Sequence, residues 1–116
     1  MRVPSKLIEK TLSALQIAKI TGEIKTGLFD SMRSLEANKV RYFILPLDMK
    51  PKDNKIRKKL MVLRMLMKDK KLFCFELSTK AELAKIIGVE TGTIAIINPG
   101  RASSIFKDLA AEMRIE

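Results

Sequence analysis

Two hydrophobic rhythms alternate along this chain. Segments whose apolar side chains return every third or fourth residue take turns with short runs of β-branched and aromatic residues. Ile8, Leu12 and Leu15, followed by Ala18, put an amphipathic helix over Ser5 to about Ile20, with Ser5 as its N-cap and Gly22 as its stop. An extended piece, Glu23 to Thr26, leads to Gly27, and Leu28 to Ala37 has helical composition with no breaker before Asn38. Val40 to Leu45 reads as a strand buried on both faces, with Pro46 at its exit.

The same alternation continues beyond Pro51. Ile56, Leu60, Leu63 and Met67 form one apolar stripe on a helix from about Asp53 to Lys68, whose opposite face reads as strongly basic. Leu72 to Leu77 is a second buried run. Ser78 starts a helix carrying Leu83, Ile86 and Ile87, which Gly88 ends. Thr93 to Ile97 is a last strand, and Ser103 to Met113 places Ile105, Phe106, Leu109, Ala110 and Met113 on one helical face. Connections between the buried strands are too long for hairpins. The series therefore predicts an α/β chain: a single-domain, three-layer α/β/α sandwich around a mixed sheet of about four strands, spanning residues 1–116.

Charge then narrows the partner. The 23 Lys and Arg against 13 Asp and Glu leave a formal +10, an excess that costs the folded state self-repulsion and whose commonest use is neutralising phosphates. Charge alone leaves RNA, DNA and an acidic membrane surface open. No apolar stretch approaches the ~20 residues of a membrane span, and the N-terminus has no signal-like apolar core, so a cytoplasmic protein is expected.

Much chemistry is unsupported by the residues present. The chain has no histidine and one cysteine, Cys74, which lies between Phe73 and Phe75 and reads as a buried, inert thiol. Neither a zinc site nor imidazole-based catalysis can be assembled, and no metal, cofactor or enzymatic activity is expected. Gly22 and Gly27 are spaced like a phosphate-binding loop but lack the Lys and Ser or Thr that follow in one, so a helix C-cap and a turn account for them.

Several strings, read in order, resemble archaeal members of the kink-turn-binding ribosomal L7Ae family. They are Val3-Pro4-Ser5-Lys6-Leu7, Ala18 to Gly27, Leu47-Asp48-Met49-Lys50-Pro51, Ser78-Thr79-Lys80-Ala81-Glu82-Leu83, Gly88-Val89-Glu90 and Ile94 to Gly100. The resemblance covers nearly the whole chain. It implies an α/β/α sandwich that grips a kinked RNA stem, most readily a large-subunit ribosomal protein on ribosomal RNA. It equally fits an RNA-binding subunit of ribonuclease P or of box C/D and H/ACA guide particles, or a diverged paralogue that turns the same surface to protein contacts. The partners implied are RNA and other ribonucleoprotein subunits, with the chain a monomer within its complex.

The resemblance also implies a site. Family members insert an Asn-Glu pair and a Lys at the start of the second helix into the RNA groove, and these fall on Phe29, Asp30 and Arg33, behind Lys25, Thr26, Gly27 and Leu28. Helix-start amides favour phosphate, and Arg33 offers a planar fork for guanine edges or phosphate. A phenyl ring cannot replace an amide at a base edge. Phe29 therefore either stacks on an unpaired base or packs against its own helix or a neighbouring protein. The second contact region falls on Val89, Glu90, Thr91 and Gly92, in a loop about two residues shorter than in the family. Lys19, Lys25 and Lys39 are expected to flank the groove as positioning contacts. Lys52, Lys55, Arg57, Lys58 and Lys59 crowd the start of the third helix, where they are either a solvated face or further phosphate contacts.

Overall fold

A computed structural model of the chain describes residues 1–89 and 92–115. The elements run α1 (Ile8–Thr21), β1 (Glu23–Thr26), α2 (Leu28–Glu36), β2 (Tyr42–Leu45), α3 (Asn54–Asp69), β3 (Phe73–Glu76), α4 (Lys80–Ile87), β4 (Ile94–Asn98) and α5 (Ser103–Ile115). Short 3-10 turns precede α1, at Ser5–Leu7, and α5, at Gly100–Ala102. The strand order is β1-β4-β2-β3. β4 runs antiparallel to both of its neighbours, while β2 and β3 are parallel.

Successive residues of each strand point to opposite sides of the sheet, so the sheet divides the core in two. Ile44, Phe73, Phe75, Ile94 and Ile96 pack with Ala14, Leu15 and Ala18 of α1, Leu83 and Ile87 of α4, and Phe106, Leu109 and Met113 of α5. Phe43, Leu45 and Ala95 face the other way, onto Leu35 of α2 and Leu60, Leu63 and Met67 of α3. The expected α/β/α sandwich is thus the observed one, with three helices on one side and two on the other. Tyr42 stacks on Phe106 at 5.1 Å between ring centroids, and Phe75 lies within 6 Å of Tyr42, Phe73 and Phe106 (5.9, 4.7 and 5.7 Å), so aromatic contacts knit α5 to β2 and β3.

Gly22 links the two ends of the molecule. Its φ of −123° is open to any residue, but a Cβ there would lie 2.0 Å from the Asn98 carbonyl oxygen and 2.8 Å from the Gly100 nitrogen. Glycine is required because the α1–β1 turn and the β4–α5 turn touch backbone to backbone. Thr21 Oγ1 fastens the same junction by accepting from the Arg101 amide at 2.9 Å.

Three expectations are corrected. Ser5 does not cap α1: Ser5–Leu7 form a 3-10 turn and the α-helix begins at Ile8 without a side-chain cap. Thr79, not Ser78, caps α4, accepting from the Glu82 amide at 3.1 Å, while Ser78 takes a left-handed φ of 60° that carries the chain out of β3. Ile56 is exposed instead of joining the α3 stripe, which begins at Leu60. The outward face of α3 carries Lys55, Arg57, Lys58, Arg64 and Lys68, as expected, with exposed Met61, Val62 and Met65 among them. No helix among the described residues is long and apolar enough to cross a membrane.

Candidate nucleic-acid interface

β1 ends at Gly27, whose φ of 91° and ψ of 155° lie in a region that L side chains avoid. This conformation turns the chain sharply from the sheet into α2. The Gly27 amide donates to the Thr93 carbonyl at 2.8 Å, and the Gly27 carbonyl accepts from Ser31 at 3.1 Å. The first of these bonds joins two segments that lie far apart in sequence: the start of α2 and the end of the loop between α4 and β4. Gly27 has no side chain with which to cap α2, and among the described residues the first-turn amides stay available to an anion.

Along α2, between the helix and β1, runs an open groove of about 340 Å³ lined by Glu23, Lys25, Asp30, Arg33, Ser34, Ala37, Lys39 and Ile97. Lys25 comes from β1, and Asp30 and Arg33 come from α2. Lys39 comes from the turn that follows α2, where Asn38 adopts a left-handed φ of 57° and accepts from Lys70 Nζ of the α3 C-terminal region. Three cations and two carboxylates share the groove. Cations can hold phosphate there while the carboxylates accept from base amino groups, a combination suited to a nucleic-acid groove.

The expected site residues are only partly brought together. Lys25, Asp30, Arg33 and Lys39 line the groove as expected. Gly27 supplies conformation, and Thr26 pairs with Ile94 in the sheet. Leu28 packs partly into the core between α2 and α3, so its side chain serves the fold. Phe29 is exposed at the edge of α2 that faces α3.

Val89 is exposed, and Gly92 lies where a Cβ would come within 2.7 Å of Met49 Cε, so that loop is seated on the turn after β2. Glu90 and Thr91 lie outside the described residues. Lys19 is not at the groove: its Nζ donates to the Ile86 carbonyl at 3.0 Å and so caps the C-terminus of α4 beside Gly88. Arg57 bends back to the Pro51 carbonyl at 2.6 Å and secures the entry to α3, where the Asp53 side chain caps the helix. Lys52, Lys55 and Lys58 are exposed, and Lys59 lies over the Phe29 ring.

Glu23, Ser34, Ala37 and Ile97 were not anticipated. The i, i+4 spacing of Asp30 with Ser34 and of Arg33 with Ala37 marks one face of α2, but the approach of Ile97 follows only from β4 pairing with β1. Among the described residues no group of three His, Cys, Asp or Glu is placed to hold a metal ion. Cys74 is the free thiol, and burial pushes it up to about 11.

A mixed four-stranded sheet between two helical layers, with a groove of mixed charge along its second helix, defines a class of small α/β sandwich domains. The family model described as "Ribosomal protein L7Ae/L30e/S12e/Gadd45 family" matches residues 9–106, and the chain belongs to that family. Its fold is similar to that of a solved Giardia lamblia protein described as "15.5kD RNA binding protein". The TM-score is 0.74 at 14% identity, covering 97% of this chain and 92% of that one.

Proposed function

We propose that the chain is a non-catalytic RNA-binding subunit of a ribonucleoprotein particle, most readily the large ribosomal subunit. In this reading it holds a kinked RNA element against the start of α2 and the loop that follows α4. The observation that supports the reading is the groove along α2, where Lys25, Arg33 and Lys39 gather beside Asp30, with the Gly27–Thr93 hydrogen bond tying the start of that helix to the end of the α4–β4 loop. The formal charge of +10 and the family of the chain agree with it, as does the RNA binding by which the Giardia protein is described. Lys25, Arg33 and Lys39 would neutralise backbone phosphates and fix the RNA register, while Asp30 would accept from a base amino group.

The test is a binding titration of a kink-turn stem-loop against a straight duplex of equal length at several salt concentrations. The kinked RNA should bind more tightly, with affinity falling linearly in log–log form with salt. Arg33→Ala should weaken it by about 1–3 kcal/mol if the guanidinium reads a base, or lower the salt slope by about one if it holds a phosphate. Equal, salt-insensitive binding of both RNAs would sink the proposal. Sequencing the RNA that co-purifies with the protein then separates a ribosomal role from ribonuclease P or guide particles.

A further inference from the structure

The chain has six aromatic residues. Tyr42, Phe73, Phe75 and Phe106 form the cluster under α5, and Phe43 is fully buried on the other side of the sheet. Phe29 stands apart, 66% exposed in the first turn of α2. A phenyl side chain left in water forgoes roughly 1.5–3 kcal/mol of burial, so the fold itself supplies no reason for a ring at this place. The ring does have a polar companion. Lys59 reaches across from α3 and sets its ammonium 3.7 Å from the ring centroid. The lysine is itself half-buried, so the pair is a fixed feature of the α2–α3 seam.

Phe29 and Arg33 are separated by four residues and therefore share one side of α2, with Phe29 nearer α3 and Arg33 on the groove. The ring thus stands between Arg33 and Lys59, and the exposed Lys55 precedes Lys59 by one turn on the same face of α3. A flat apolar surface with cations on both sides and helix-start amides beside it fits a nucleobase whose phosphates lie to either side.

We propose that Phe29, backed by Lys59, is a stacking platform for one unpaired base of the bound RNA; this rests on the RNA-binding reading above. Lys59 occupies one face of the ring and holds its orientation, leaving the opposite face to the base. Stacking of this kind tolerates any base, because each presents a π-face. The site accordingly takes an RNA with a bulged or extruded nucleotide at the head of α2, chosen by its being unpaired and not by its identity.

The probe is a stem-loop with a three-nucleotide bulge, compared with versions in which each bulged nucleotide in turn is made abasic and with the fully paired stem. Binding is read by fluorescence anisotropy. One abasic position should weaken wild-type binding on the order of 10- to 100-fold. Phe29→Leu should show a similar loss with the intact bulge, no further loss with that abasic RNA, and an unchanged salt slope. Phe29→Tyr should bind like the wild type, and Lys59→Met should lie between the wild type and Phe29→Leu. Both Phe29 substitutions are at an exposed position and leave the core untouched. Tight, bulge-dependent binding indifferent to Phe29→Leu overturns the platform alone, as would tighter binding by Phe29→Asn. Failure of the wild type to bind any of these RNAs in dilute salt overturns the platform together with the reading beneath it.

Discussion

Two glycine-to-alanine substitutions five residues apart separate the steric and conformational reasons for glycine in this fold. At Gly22 the backbone conformation is ordinary, and the whole cost is the added methyl. That methyl would lie 2.0 Å from the Asn98 carbonyl oxygen, where ordinary contact begins at 3.4 Å, so a displacement of about 1.4 Å is required. The obstructing atoms are backbone. They are tethered by the Gly100 amide bonded to Asn98 Oδ1 and the Arg101 amide bonded to Thr21 Oγ1, both at 2.9 Å. Relief by side-chain rotation is therefore closed. Gly22→Ala should cost about 3–4 kcal/mol, above the ordinary range for overpacking and a large share of a typical domain's stability.

At Gly27 no atom of the described residues lies within 4 Å of an added Cβ, and the cost is that of the φ of 91°, about 1–3 kcal/mol. Gly27 also aims α2, whereas Gly22 lies at a different junction. Urea unfolding followed by circular dichroism should rank Gly22→Ala as the less stable variant. Titration with a kink-turn RNA, at a temperature where both are folded, should rank Gly27→Ala as the weaker binder. A Gly22→Ala midpoint equal to that of the wild type would refute the backbone contact, and the reverse order of RNA affinity would refute the role given to Gly27.

Other expectations are narrower. Ser31 Oγ is buried with no hydrogen-bond partner among the described residues, so Ser31→Ala should raise stability by about 1 kcal/mol, and a fall in thermal midpoint would show that the hydroxyl is satisfied. The Cys74 thiol, raised to about 11 mainly by desolvation, should resist iodoacetamide at pH 8 until the protein is unfolded. Because its native pKa lies above the unfolded one, the unfolded chain gives up this proton first. The stabilisation present below about pH 9 should therefore decline as the pH rises toward 11, and Cys74→Ala should remove that part of the pH dependence.

The elements were legible in the sequence because their two periodicities differ and because Gly22, Gly27 and Gly88 punctuate them. Element ends were harder to read, since a serine before an apolar run marks either a cap or the turn ahead of it. Ser5 and Ser78 both proved to be the latter. At the candidate site, Lys25, Asp30, Arg33 and Lys39, of which Asp30 and Arg33 were named from the family resemblance, line one groove because three of them lie on or beside α2 and Lys25 lies in the strand before it. Lys19 was misplaced because its partner, the Ile86 carbonyl, is 67 residues away and only tertiary packing of α1 on α4 brings them together. The contribution of Ile97 depended on strand order, which periodicity does not encode.

That strand order bears on when the binding surface can first exist. β1 and β2 are not neighbours; β4, the last strand among the described residues, lies between them, supplies Ile97 to the groove and follows Thr93, which bonds Gly27. During synthesis a ribosome must therefore release the chain past residue 98 before the seam can close. A nascent or truncated product that already carries Lys25, Arg33 and Lys39 would still lack the Thr93 carbonyl and the Ile97 wall that complete the groove.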